Sequence, residues 1–104
     1  MGIIAIACYK AKPGNERKLL SAVKSNTPLL RSLLLITNRP PILMKSVDGI
    51  ILEVFEWKSK AAKVKAHKSP AVMSLWDRMM VLGENVSLET LPEAKDIFAN
   101  FKAI

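Results

Sequence analysis

The chain has 104 residues, 50% of them apolar and 24% charged, with only four Gly and six Pro. That length fits one small domain, 1–104, and that composition excludes disorder, collagen-like repeats and low-complexity linkers. Cys8 is the lone cysteine and His67 the lone histidine, so a disulfide framework, a cysteine zinc site and a multi-histidine metal site are all excluded within one subunit. Sixteen basic against nine acidic residues leave a formal charge of +7.

Gly2 to Cys8 (GIIAIAC) faintly resembles a lipoprotein signal but lacks a basic leader, and its apolar core is short for export. No stretch approaches the ~20 apolar residues of a membrane span. The expectation is a cytoplasmic protein without a membrane partner.

Ile3 to Lys10 (IIAIACYK) is apolar on both parities, which predicts a strand buried on both faces. Lys12-Pro13-Gly14 then breaks it. From Asn15, a good N-cap residue, Leu19, Leu20, Val23, Thr27, Leu30 and Leu34 recur at helical spacing. Pro28 predicts a kink, or a break with a new turn at Thr27-Pro28. The helix should stop before Thr37-Asn38-Arg39-Pro40-Pro41.

Ile42–Ser46 and Ile50–Trp57 flank Asp48-Gly49, a signal for a two-residue hairpin turn. That turn would pair Met44 with Glu53 and put Ile42, Met44, Ile51, Glu53, Phe55 and Trp57 on one face. Ser59 opens a helix over Lys60–Lys68, and Ser69-Pro70 restarts one carrying Val72, Leu75, Trp76 and Met79 at i, i+3, i+4, i+7. Gly83 ends it. Asn85–Leu91 reads as a fourth strand, and 92–104 as a short helical tail with Ile97, Phe98 and Phe101.

The order strand, helix, strand, strand, helix, strand predicts an α+β fold: a ferredoxin-like βαββαβ unit with a four-stranded antiparallel sheet. The helices cover one side of such a sheet. Strands one and three carry apolar residues front and back, so the other side needs a cover, and a second copy of the chain supplies it. A homodimer is the expected partner.

Glu53 to Trp76 (EVFEWKSKAAKVKAHKSPAVMSLW) resembles the antibiotic-biosynthesis-monooxygenase-like (ABM) domains. Trp57 at a strand end, Ala66-His67 at a helix end and Ser69-Pro70-Ala71-Val72 opening the next helix match that pattern in order and spacing. The Lys12-Pro13-Gly14 turn also fits. The resemblance implies a dimeric α+β barrel with two sheets packed face to face. It also implies cofactor-independent oxygenation of polycyclic aromatic or quinol-like substrates, without metal or flavin. Such chemistry needs an electron-rich substrate, a dry apolar pocket and groups that stabilise the substrate anion. In the haem-degrading branch the working Asn, Trp and His would fall at Ala7, Ala66 and Trp76, so that activity is not expected.

The catalytic candidates are His67, Trp76, Asn38 and Arg78; the candidate ligand-binding residues are Trp57, Tyr9, Met44, Glu53, Met79 and Met80. No metal or cofactor is expected. His67 is the only imidazole, yet it projects away from Ala62 and Ala66, so it either faces outward or caps the helix end. Trp76 reads as core, with a place in a cavity wall as the other reading, and Trp57 reads the same way. Glu53 lies mid-strand among apolar residues; an ion pair with Lys or Arg is the leading reading, a base facing the pocket the other. Cys8 has no activating neighbour and reads as inert. Lys58, Lys60, Lys63, Lys65 and Lys68 surround their helix without forming a stripe, which argues against a nucleic-acid partner. The expected ligand is an apolar aromatic small molecule. The rival reading is a non-enzymatic ligand-binding or stress-associated scaffold of the same fold.

Overall fold

The computed structural model describes residues 2–104. Strand β1 (Ile3–Ala11) runs nine residues before Lys12-Pro13-Gly14 turns the chain, with Gly14 at φ +83. It pairs antiparallel with β3 (Ile51–Trp57) along its whole apolar length, from Ile3 opposite Trp57 to Tyr9 opposite Ile51. Strand β2 (Ile42–Lys45) joins the far side of β3. The sheet is antiparallel and open, ordered β4-β1-β3-β2-β5, and has five strands where the sequence predicts four.

The first helical region is two helices, α1 (Glu16–Lys24) and α2 (Asn26–Ser32), broken at Ser25. The break falls just ahead of Pro28. Proline thereby occupies the first turn of α2, where no intrahelical donor is missed. Asn15 stands at the N-terminus of α1 but makes no side-chain cap bond. After α2 the chain closes with Leu34 in the left-handed region at φ +60. Its N–H donates to Arg31 O at 2.9 Å and the Leu35 N–H to Leu30 O at 3.0 Å, the paired bonds of a Schellman ending. Leu30 and Leu35 both enter the core.

Two serine caps work as predicted. Ser59 Oγ accepts from the Ala62 N–H at the start of α3 (Lys60–Ala66), and Ser69 Oγ accepts from the Val72 N–H at the start of α4 (Pro70–Leu82). α3 is shorter than predicted and hands over at His67. Gly83 begins β4 (Gly83–Asn85) rather than merely ending a helix, because a Cβ there would run into the Lys10 carbonyl.

The hairpin departs from its predicted register by one residue. Ser46 N–H bonds Ile50 O at 2.9 Å and Gly49 N–H bonds Ser46 O at 3.0 Å, which makes a three-residue loop with Gly49 at φ +85. Ser46 Oγ also accepts from the Asp48 and Ile50 N–H groups. Leu43 therefore lies opposite Glu53, and Met44 opposite Leu52. A slip of one residue turns every side chain of β2 to the other face.

The helices cover the sheet face bearing Ala5, Ala7, Tyr9, Ile51, Glu53, Phe55 and Trp57. Leu30, Val72, Ala62 and Ala66 pack on its Phe55–Trp57 end; Leu19, Val23 and Met79 pack on its Tyr9–Ile51 end. The opposite face is covered only in part. The strand predicted over Asn85–Leu91 is instead the three-residue β4, which shares only Asn85 with that span, and the predicted helical tail is absent. Two 3-10 turns, Leu88–Thr90 and Pro92–Lys95, carry the chain instead across the outer face, where Val86, Leu91 and Phe101 pack on Cys8, Leu52 and Met44. Strand β5 (Lys102–Ala103) then pairs with β2. Glu93 anchors this crossing: its Oε2 accepts from the Val47 N–H at 2.8 Å. Ile4, Ile6 and Ile42, about half exposed (50%, 49% and 55%), mark the uncovered remainder. β4 pairs only with Tyr9–Ala11, so Ile3–Ala7 has no strand beside it on that edge among the described residues.

Candidate functional site

Between the β1–β3 part of the sheet and the α3–α4 pair lies a cavity of about 470 Å³. Its floor owes its depth to Ala5 and Ala7, two small residues where β1 faces the helices. Phe55 and Trp57 flank them, their rings edge to face with centroids 5.0 Å apart. Met73, Trp76 and Met80 from α4 form the opposite wall, and His67 from the end of α3 stands at the rim with Lys63. A second depression of about 380 Å³ at the other end of the sheet mixes Lys10, Arg17 and Lys45 with Glu16 and Asp48, and carries no aromatic ring.

His67 is held in two ways. Its Nδ1 lies 2.9 Å from the Lys63 carbonyl, and its ring meets Trp76 edge to face with centroids 5.0 Å apart. A carbonyl only accepts, so Nδ1 carries a proton and Nε2 is the nitrogen turned away from this hydrogen bond. His67 both caps α3 and lines the cavity; it does not project away from it. Its place at the border of the buried face, one residue past Ala66, accounts for both.

A polar chain runs from the cavity wall, which Trp76, Asn26 and Tyr9 line, to Glu53 behind it. Trp76 Nε1–H donates to Asn26 Oδ1 at 2.9 Å, Asn26 Nδ2–H donates to Glu53 Oε1 at 3.0 Å, and Tyr9 O–H donates to the same Oε1 at 3.0 Å. An indole N–H only donates and an ionised carboxylate only accepts, so the Asn26 amide has one allowed orientation. Glu53 is 1% exposed and, among the described residues, makes no salt bridge. The expected ion pair is replaced by two neutral donors. Burial pushes the Glu53 carboxyl up to about 7, against the lowering effect of the Asn26 and Tyr9 hydrogen bonds. Burial, and then the Glu53 charge, hold the Tyr9 phenol far above its ordinary value.

The structure brings together His67, Trp76, Trp57, Tyr9, Met79 and Met80 around one cavity, with Glu53 one layer behind it. Three candidates lie elsewhere. Met44 packs on the outer face with Leu52, a direct result of the hairpin register. Arg78 is exposed, roughly 200° around α4 from Trp76. Asn38 is exposed in the loop before Pro40, whose neighbours Thr37 and Arg39 bind Glu56 at 2.8 and 3.0 Å. Cys8 is buried on the outer face, its thiol pushed up by burial.

Asn26 is the residue of this candidate site that the sequence did not single out. Its signal was present: it falls on the stripe of Leu19, Ala22, Val23 and Leu30, a polar side chain at a core position. The described residues include no group of three or more His, Cys, Asp and Glu able to hold a metal. Among the described residues no helix is long and apolar enough to cross a membrane. No protein-family model, curated protein or solved structure matches this chain.

Proposed function

We propose that the cavity binds a flat, apolar aromatic molecule bearing a hydroxyl or an acidic C–H group, and that the protein oxygenates it with dioxygen and no cofactor. The single observation carrying this reading is the cavity itself: Trp57, Phe55 and Trp76 around a space of about 470 Å³, with His67 Nε2 at its rim. Aromatic walls grip a flat ring, and Met73, Met79 and Met80 adapt to its outline. The deprotonated substrate passes one electron to dioxygen; recombination gives a peroxide, and loss of water leaves a carbonyl. The protein's part is to exclude water and stabilise the anion.

The similarity of Glu53–Trp76 to the ABM-like domains supports the same reading, as does the order β4-β1-β3-β2 within the sheet, which fits a ferredoxin-like unit. Ile4, Ile6 and Ile42 on the outer face support a homodimer formed sheet to sheet, closing a barrel from two chains. Binding without turnover is the second reading, favoured by the pliable methionine wall.

Oxygen uptake with a panel of quinols and anthrones tests the proposal, with Ala7→Leu as the blocked-cavity control. We expect uptake by the natural chain and loss in the variant, with unchanged circular dichroism. Ligand binding without uptake leaves only the second reading. No binding removes both.

A further inference from the structure

Glu53 is fully buried beside a mostly apolar cavity, pairs with no cation among the described residues, and reaches the ligand space only through other side chains. Two side chains connect it outward. Asn26 is an amide, which neither gains nor gives a proton near neutral pH. Tyr9 is a phenol that lines the cavity and donates its only proton to Glu53 Oε1 at 3.0 Å. The lone pairs of Tyr9 Oη have no donor among the described residues. Its oxygen is thus a ready acceptor for a hydroxyl arriving from the cavity side.

We propose that Tyr9 and Glu53 form a buried proton relay that takes the proton of a quinol-type hydroxyl bound in the cavity. This rests on the aromatic-ligand reading above. The ligand O–H bond breaks and its proton joins Tyr9 Oη while the Tyr9 proton moves to Glu53 Oε1. The ligand leaves the step as an oxyanion, Glu53 as a neutral carboxylic acid, and Tyr9 unchanged. No electron moves. Tyr9 is the group that touches the ligand; Glu53 acts through it. The Asn26–Trp76 arm keeps Oε1 in place whether or not a ligand is bound.

The relay requires Glu53 ionised, so ligand deprotonation rises with pH through the Glu53 titration near 7 and then levels. Tyr9 on β1 is the titratable group that faces Glu53, with Cys8 beside Tyr9; α2 and α4 contribute the neutral Asn26 and Trp76, and β2 the apolar Leu43. His67, Lys63 and Asp77 line the cavity rather than the carboxylate.

The test uses 1,4-naphthohydroquinone under anaerobic conditions from pH 5 to 9. Tryptophan quenching reads binding, and quinolate absorbance reads deprotonation. The natural protein should bind the quinol and form quinolate with a midpoint near pH 7. Tyr9→Phe and Glu53→Gln should bind it yet give about tenfold less quinolate at pH 7, and Glu53→Gln should lose the midpoint. Tyr9→Phe carries the test if Glu53→Gln does not fold. Binding with the same quinolate yield and midpoint in both variants overturns the relay alone. No binding by the natural protein overturns the ligand reading and the relay with it.

Discussion

The indole N–H of Trp76 reaches Asn26 Oδ1 at 2.9 Å, fastening the middle of α4 to the first residue of α2. Asn26 spends its other side-chain group on Glu53, so one buried amide satisfies two partners on different elements. Asn26→Ala would leave the indole N–H without its acceptor and the carboxylate with a single donor. Each loss costs about 1–3 kcal/mol. We expect the variant to unfold in urea with about 3 kcal/mol less stability, and Asn26→Asp to fare no better, since it sets a second carboxylate against Glu53. Stability within about 0.5 kcal/mol of the natural chain would contradict the network.

Glu53 makes stability depend on pH in an unusual direction. Its folded value, about 7, lies above its ordinary 4.5, so the native state holds the proton more tightly than the unfolded chain. Stability therefore declines as pH rises from about 4.5 to about 7 and is flat beyond, a swing on the order of 3 kcal/mol. Glu53→Gln removes this dependence. Urea unfolding of both proteins at pH 4.5 and pH 8 should show the natural chain losing ground to the variant at the higher pH. Parallel pH profiles would refute it.

Leu34 holds a left-handed backbone with a side chain that is 71% exposed. An L-residue there costs about 1–2 kcal/mol, and little packing is lost by trimming it. Leu34→Gly should raise the free energy of unfolding by about 1 kcal/mol, and the denaturation midpoint with it, a gain reduced in part by the freer unfolded chain. A lowered midpoint would mean that the leucine side chain contributes contacts outweighing its strain.

The outer-face isoleucines give the fourth expectation. Sedimentation at micromolar concentration should show a dimer for the natural chain and a monomer for Ile6→Glu, with equal helix content. A stable natural monomer would end the two-chain barrel.

What the sequence made legible was periodicity. The two-sided burial of β3, the Ser59 and Ser69 caps and the Val72–Met79 stripe all rest on local pattern and all appear in the fold, whereas β1 is buried only at Cys8 and Tyr9 and leaves Ile3, Ile4 and Ile6 exposed in the single chain. Choices between near-equal local solutions were not legible. Asp48-Gly49 serves a two- or a three-residue hairpin loop equally well, and the Ser46 hydroxyl favours three by accepting from the N–H groups of Asp48 in the loop and Ile50 just after it. That one residue moved Met44 away from the cavity. The tail was hidden for another reason: Phe101 gains burial on Cys8 and Leu52, a contact invisible to helical spacing. Glu53 was recognisable as an anomaly, but its neutral partners were not, since Tyr9 and Asn26 lie 44 and 27 residues away.

The short reach of β4 leaves the amide and carbonyl groups of Ile3–Ala7 unclaimed along one side of the sheet. A bare, greasy ribbon border is a template on which another polypeptide can zip itself in place. Concentrated preparations should therefore coarsen by strand stacking from this border, and a lysine substituted at Ile3, which is 42% exposed, should slow their clouding without altering the cavity walls.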